Sequence, residues 1–429
     1  MSAKSRIEER LRAIGRPEDD DSQDPNEPLV KKWDRSLKKF SNVIEKYYND
    51  NRQSNEEFDK KMGILEEIEG YLTEHVFNKP ISGIQYEIKA VVPFGSSASG
   101  LGMKEGDLDM TICVYPPLGK RRKDEIKERS NEILSKIYKK IKSGKMLRGR
   151  KMEDMCHIDG ARVPIITGNV DGIDLDISIS MTFVVSAQYL ASKFIDAYEK
   201  YNRKFILLAA YVKYWFKSKK TDENEDYYRT VFPNSCTNVL LVIFFMKQLG
   251  LLPDVHNKHK DRLGENRSTW ERVNGGENGS YGVPDADVKR WRDSNYCEVS
   301  VGTLFLLFLD FYANLDFQTY KISIGKGALI PKGRRRRTRV VIEDVIDKEN
   351  MGRCIIQTAM FKKYLNEGKK IIQQTDPTLI EKKLMKGPPL PNVMKYSKSE
   401  MKALREEGLH YGQQPKKFIR PDPSKWSNL

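Results

Sequence analysis

The sequence predicts an α+β protein: a mixed β-sheet carrying helices, then a helical second part, with a cleft between the two. Three observations carry this. Short stretches with period-two apolar alternation cluster between residues 84 and 178. Helix-period apolar stripes dominate 186–251 and return at 301–320. The chain has 429 residues, 39% of them hydrophobic, which is enough to bury two cores.

Taken in order, residues 1–28 hold Glu18, Asp19, Asp20 and Asp21, three prolines and few apolar side chains, and read as a disordered acidic arm. A helix over 29–50 follows, with Leu29, Trp33, Leu37, Phe40, Ile44 and Tyr47 on one face, and is expected to pack on the helical part. Residues 51–185 form the sheet-bearing part. It opens on a helix marked by Phe58, Met62, Leu65, Ile68 and Leu72. Strands are expected at 84–92, 108–115, 161–167 and 173–178, interrupted by a basic helix carrying Ile126, Ile133, Ile137 and Ile141. The helical part spans 186–385. Within it, 254–296 is rich in Gly, Asn and Asp and reads as a long loop with one short helix. The stretch 386–429, rich in Pro, Lys and Ser, reads as a flexible basic tail.

The chemistry concentrates in one stretch. Gly95-Ser96-Ser97 makes a small-residue turn, followed by Gly106-Asp107-Leu108-Asp109-Met110. Alternation sends Leu108, Met110, Ile112 and Val114 to the core and Asp107 and Asp109 to the other face, roughly 7 Å apart along the backbone. Carboxylates that close repel unless a cation lies between them, and divalent ions take both carboxylate and phosphate oxygens. The turn offers backbone N–H groups and a hydroxyl to a phosphate. A further acidic strand, Ile173-Asp174-Leu175-Asp176-Ile177, supplies a third carboxylate; Asp176 is the first choice and Asp174 the second. The apolar run 161–166 reads as its hairpin partner. An Asp-x-Asp on an exposed strand is ordinarily solvated surface. The turn, the apolar flanks and the third acidic strand together favour metal-assisted nucleotidyl transfer.

Composition bounds the alternatives. The five cysteines are widely spaced, without a Cys-x-x-Cys, which fits a reducing compartment. His256 and His259 have no second pair nearby to complete a zinc site. The N-terminus shows no apolar signal segment, and no apolar run is expected to span a membrane. Net charge is +15 and the pI about 9.3, which favours a polyanionic partner. The excess clusters in 120–151 and in Arg334, Arg335, Arg336 and Arg337. Those four arginines suit RNA phosphates or a nuclear-import signal.

At this point the residues carry a family resemblance. The order Gly95-Ser96, Asp107-Leu108-Asp109, Ala161-Arg162-Val163-Pro164-Ile165-Ile166 and Leu175-Asp176-Ile177-Ser178 resembles the RNA 3′-terminal nucleotidyltransferases of the DNA polymerase β superfamily. These are the terminal uridylyltransferases and their poly(A)-adding relatives. The likeness continues through Tyr211-Val212-Lys213-Tyr214-Trp215-Phe216-Lys217, through Asn234-Ser235-Cys236-Thr237-Asn238, and through Val301-Gly302-Thr303-Leu304-Phe305 in a poly(A)-polymerase-associated region at 298–355. It ends on Val341-Ile342-Glu343-Asp344 with Asn350-Met351-Gly352-Arg353, and covers roughly residues 30–355.

The resemblance implies a polymerase-β-type palm and an enzyme that adds ribonucleotides to RNA 3′ ends without a template. It implies that Asp107, Asp109 and Asp176 hold two Mg²⁺ or Mn²⁺ ions, and that Gly95 and Ser96 contact the nucleoside triphosphate. Lys213 and Lys217, four apart on one helix face, would reach the outer phosphates. Ser235 would sit near the phosphates or sugar; Cys236, Asp344, Asp347 and Glu349 would face the base. Partners would be RNA, an NTP and a protein that recruits the enzyme to its target, with no membrane. A cytoplasmic location is expected, including ribonucleoprotein granules, with nuclear import open through 334–337. The departures fall on base choice. Uridylyl-adding members stack a tyrosine where Cys236 stands, and many place a histidine where Glu349 stands. UTP is expected to be favoured without strictness, GTP or ATP being used too, as in members linked to RNA silencing that add mixed U/G tails. A poly(A)-adding enzyme, a catalytically silent RNA-binding scaffold and a small-nucleotide synthase are the alternatives.

Overall fold

The structure, a computed structural model, describes residues 2–18, 24–116, 123–143, 150–161, 163–181, 187–221, 224–255, 285–295, 297–333, 340–345 and 349–386. Among them the chain forms helices α1 (Ala3–Ile14), α2 (Leu29–Ser36), α3 (Lys38–Asn51) and α4 (Asn55–His75), then strands β1 (Glu87–Phe94) and β2 (Leu108–Tyr115). Next come α5 (Lys123–Ser143), β3 (Glu153–Ile158), β4 (Ile165–Val170) and β5 (Ile173–Ser180). Helices α6 (Ala187–Tyr201), α7 (Lys204–Lys217), α8 (Glu225–Val231), α9 (Ser235–Leu249), α10 (Asp285–Asn295) and α11 (Val301–Asn314) follow. The remainder is β6 (Tyr320–Ser323), β7 (Ala328–Pro331), β8 (Ile342–Glu343), α12 (Thr358–Gln373) and α13 (Ile380–Lys386). The expected α+β class, a mixed sheet with many helices, is what is seen.

The main sheet has the order β1-β2-β5-β4-β3, with β2 and β5 parallel and the other pairs antiparallel. One hydrophobic cluster joins this sheet to α4 and α5 through Ile64, Ile68, Met110, Ile112, Leu134, Ile137 and Ile177. A second, larger cluster gathers α1–α3 with α6–α13, around Trp33, Phe40, Tyr211, Trp215, Phe245, Phe305 and Phe361. A small sheet of order β7-β6-β8 sits beside it.

Several expectations change. The arm over 1–28 is not wholly irregular: Ala3–Ile14 is helical, capped by Ser2, with Ala3, Ile7 and Leu11 buried in the larger core. Their spacing of four makes an apolar stripe that the acidic run after it obscures. Polar contacts help fix this helix. The Glu8 carboxylate accepts from the N–H groups of Leu29 and Val30, at 3.1 Å each, where the exposed amides of a helix start favour an anion. Trp33 donates its indole N–H to Gly15 O. The helix expected over 29–50 breaks at Leu37 into α2 and α3.

The strand expected at 161–167 begins only after Pro164, which has no N–H to give a ladder. It forms the expected hairpin with β5 through a two-residue Asp171-Gly172 turn, both residues at positive φ. The helix expected over 301–320 stops at Asn314, and Asp316 turns the chain by accepting from the N–H groups of Gln318 and Thr319. Strands β3, β6, β7 and β8 were not expected. In the loop expected at 254–296, α10 is the short helix; His256 and His259 lie outside the described residues.

Against expectation, Tyr227–Leu249 is long and apolar enough to cross a membrane, at 23 residues and mean hydropathy 1.3. Yet 83% of its apolar window is buried within the protein, so packing in the helical core accounts for it.

Candidate active site

Parallel pairing sets Asp109 of β2 directly beside Asp176 of β5, as Leu108 lies beside Leu175. Asp107 is one alternation earlier and shares their face. On the opposite face Leu108, Met110, Leu175 and Ile177 are buried against α4 and α5. The strand pattern therefore presents three carboxylates together, as the alternation predicts. Asp174 stands apart: it is exposed, and Asn169 donates to its carboxylate at 2.8 Å. The first choice for the third position, Asp176, is the one the register puts beside Asp109.

The turn before β2 closes on these groups. Gly95 has φ +72°, and a Cβ there would lie 2.0 Å from Asp109 Oδ2. Only a glycine lets the backbone approach that carboxylate so closely. The Gly95 N–H donates to Ser192 Oγ of α6 at 2.8 Å, so the donor expected to meet a phosphate is engaged within the protein. Ser96, half-buried, opens the single helical turn Ser96–Ala98.

Electrostatics follows from this crowding. Burial, then repulsion from Asp107 and Asp176, pushes the Asp109 carboxyl up to about 7, while Lys213 and Lys61 pull it down. Burial, Asp107 and Asp174 raise Asp176 as well. Lys213 is pulled below the ordinary lysine range by burial; Asp107 and Asp109 hold it up, and its neighbour Lys217 pulls it further down. Lys213 thus shares one field with the aspartates, and Lys217 beside it is exposed. Carboxyl groups raised by burial and mutual repulsion gain from a divalent cation, and an all-oxygen donor set suits Mg²⁺ or Mn²⁺. The donors fit in type and share a face. Among the described residues, however, no three His, Cys, Asp or Glu side chains converge on one point as they stand.

A second group of residues surrounds the start of α9. Asn234 caps it by accepting from the Thr237 N–H at 2.8 Å. Ser235 is exposed on the first turn, and Cys236 is half-buried against the core. Thr237 Oγ1 donates to Met351 O at 2.9 Å, tying α9 to the loop that holds Asp344 and Glu349. Asn350 staples that loop, accepting from Ile342 and Gly352 and donating to Val340 O. The Asp344 N–H donates to Glu349 O at 2.9 Å, and Asp344 is 9% exposed. Asp347 and Arg334, Arg335, Arg336 and Arg337 lie outside the described residues. In the other basic block, Arg150 is occupied by Glu67 and Asp171.

The sequence reading missed Lys61, Gln53 and Ser97. Lys61 is buried, 2.6 Å from Gln53 Oε1 and 3.3 Å from Ser97 Oγ. A signal was present: position 61 falls on the 61-65-68-72 stripe of α4, where a lysine among apolar residues marks a buried charge.

Comparison with known proteins completes the picture. The central palm domain of mitochondrial-like poly(A) RNA polymerases matches residues 40–200, and the Cid1-family poly(A)-polymerase-associated domain matches residues 300–350. The chain is 25% identical over 258 residues to the mitochondrial poly(A) RNA polymerase of Drosophila melanogaster, covering 56% of this chain and 40% of that protein. It is 22% identical over 288 residues to the poly(A) RNA polymerase gld-2 homolog A of the same organism, covering 63% and 19%. It therefore spans less than half the length of these curated relatives. Among solved structures it is similar to the GLD-2/RNP-8 complex, with a TM-score of 0.62, 21% identity, and coverage of 82% of this chain and 99% of that one. It is likewise similar to mtPAP in complex with UTP (TM-score 0.60, 16% identity, 90% and 76% covered) and to Cid1, an RNA terminal uridylyl transferase (0.55, 19%, 83% and 100%). At these identities the structural likeness is one of fold. The two domain matches fall over the sheet-bearing and helical parts, so the chain carries a palm domain of the mitochondrial-like poly(A) RNA polymerase type followed by a Cid1-type poly(A)-polymerase-associated domain.

Proposed function

We propose that this protein adds ribonucleotides to RNA 3′ ends without a template. The observation that carries the reading is the in-register pair Asp109 and Asp176, with Asp107 on the same face, beneath a glycine turn that touches Asp109. The RNA 3′-hydroxyl attacks the α-phosphorus of the nucleotide. A new P–O bond forms, the bond to the pyrophosphate oxygen breaks, and the hydroxyl proton leaves to solvent. Divalent ions held by Asp107, Asp109 and Asp176, when bound, supply the charge that lowers the hydroxyl pKa and neutralises the leaving pyrophosphate. The chain's own groups bind and orient. Lys213 and Lys217 meet the outer phosphates. Ser96 borders the triphosphate, and Gly95 keeps the turn tight. Ser235, exposed at a helix N-terminus, suits the sugar or phosphate edge.

For the base, the half-buried Cys236 offers no stacking face, and aromatic stacking is worth about 1–3 kcal/mol per base. Discrimination then rests on Asp344, Asp347 and Glu349. Ionised carboxylates accept but do not donate, and so suit the N3–H of uracil, the N1–H and amino group of guanine, and the amino group of adenine. We infer that UTP is used together with GTP or ATP. A second reading, A tails alone, is favoured by the poly(A) polymerases among the relatives. Purified protein given an RNA primer and all four NTPs, with products sequenced, decides. Mixed tails narrowed by Cys236→Tyr support the first reading; homogeneous A tails support the second. No extension by wild-type protein that still binds the primer leaves a scaffold.

A further inference from the structure

Lys61 lies in α4 with its side chain 0% exposed, between the palm core and the acidic face. Its ammonium donates to Gln53 Oε1 at 2.6 Å and Ser97 Oγ at 3.3 Å, and pairs with the Glu57 carboxylate at 3.6 Å. Ser97 Oγ donates onward to the main-chain oxygen of Asp107 at 2.9 Å, with Gln53 Oε1 a second acceptor at 3.3 Å. The ammonium takes one lone pair of that hydroxyl, so the hydroxyl proton is free to face Asp107 O. The backbone of Gln53 is pinned too, its N–H donating to Gly102 O at 2.9 Å. The residue before Asp107 leaves no slack: a Cβ on Gly106 would lie 2.8 Å from Met103 O and 3.8 Å from Lys61 Nζ.

Folding alone does not call for a lysine here. A hydrophobe at this position of the stripe would pack α4 on the sheet without the desolvation cost of a buried ammonium. What the lysine adds is a charge within the field of Asp107 and Asp109, on the palm side, while Lys213 approaches from α7.

We propose that Lys61 is a positioning residue for nucleotidyl transfer. Through Ser97 it holds the backbone at Asp107, and its buried charge stands behind the Asp107–Asp109 pair and sets how tightly that pair takes a divalent cation. The activity arm of this inference rests on the proposed reaction; the cation arm does not. The test uses full-length protein carrying Lys61→Met or Ser97→Ala, with Mn²⁺ binding read from the free-ion EPR signal and rates read by primer extension. Removing a cation near two carboxylates should tighten Mn²⁺ binding about three- to tenfold in Lys61→Met. Its kcat should fall at least about tenfold with the NTP KM changed less than about threefold, because only the reacting geometry is disturbed. Ser97→Ala should lower kcat while leaving Mn²⁺ affinity at the wild-type value, a split that a merely structural loss would not produce. A folded Lys61→Met with wild-type Mn²⁺ affinity and kcat overturns the inference. If Lys61→Met does not fold, Ser97→Ala decides, and a wild-type kcat there overturns the positioning role. Wild-type protein that binds Mn²⁺ in a Lys61-dependent way but extends no RNA sinks the proposed reaction and leaves the cation role standing.

Discussion

Gly95→Ala is the sharpest single perturbation of the site. The added methyl meets Asp109 Oδ2 at 2.0 Å and Asp109 Cγ at 3.0 Å, far inside van der Waals contact. The backbone at φ +72° is also costly for alanine, by about 1 kcal/mol. Asp109 is the mobile partner, so its carboxylate swings off the shared face and the fold survives. If Asp109 holds a divalent ion as proposed, its loss should raise the barrier by about 3–4 kcal/mol, a slowing of roughly a hundred- to a thousandfold. Gly172→Ala is the control. It has the same strained sign of φ, +80°, but nothing within 4 Å of the new methyl. It should cost the same ~1 kcal/mol of stability and leave the rate alone. Single-turnover primer extension beside chemical denaturation separates the two effects. A Gly95→Ala protein extending RNA at the Gly172→Ala rate would refute the assignment of Asp109 to the reacting centre.

Asp176→Ala should abolish extension by roughly a thousandfold while Asp174→Ala keeps most of it, since Asp174 is held by Asn169 away from the pair; the reverse order of rates would move the third ligand to Asp174. Leu11→Ala should lower unfolding free energy by about 2–4 kcal/mol in urea titrations, the usual loss for a fully buried leucine; no change would mean that α1 is not docked in solution. Lys219, buried and donating to Leu384 O, is pulled down to about 8 by burial. Between pH 8 and its ordinary value the unfolded chain holds a proton that the folded chain has lost, so stability should rise with pH through that window, by about 1–3 kcal/mol relative to Lys219→Met; parallel wild-type and variant curves would contradict this. Charge reversal of Arg334, Arg335, Arg336 and Arg337 should flatten the log–log salt dependence of RNA binding by about 0.7 per lost phosphate contact; an unchanged slope with altered cellular distribution would favour an import signal.

The shared acidic face was legible because a strand has a period of two. Knowing that Leu108 and Met110 must be buried is enough to put Asp107 and Asp109 on one side, and the same holds for Asp176. Register was not legible: nothing in either segment says that Asp109 falls opposite Asp176 rather than Asp174, because a shift of two residues keeps every apolar side chain inside. α1 was hidden because three apolar residues spaced by four weigh little against the acidic run and prolines that follow them. β3 and the small β6-β7-β8 sheet were hidden because short strands carry too few residues to declare a period. Lys61 was overlooked for the opposite reason, since its stripe was recognised through its apolar members and the charged one was passed over.

The pairing of β2 with β5 also has a bearing on how the protein is made. The two strands are neighbours in space but lie on either side of α5, β3 and β4 in the chain, and pairing them closes a long loop whose entropy must be met before any contact rewards it. A chain still emerging from the ribosome presents Asp107 and Asp109 long before Asp176 exists, and Lys213 arrives later still. The acidic face is therefore a late product of folding. Truncated or stalled chains ending before β5 carry two of the three carboxylates and should be inert, and the amides that bond β2 to β5 should be among the last to gain protection in pulse-labelled hydrogen exchange.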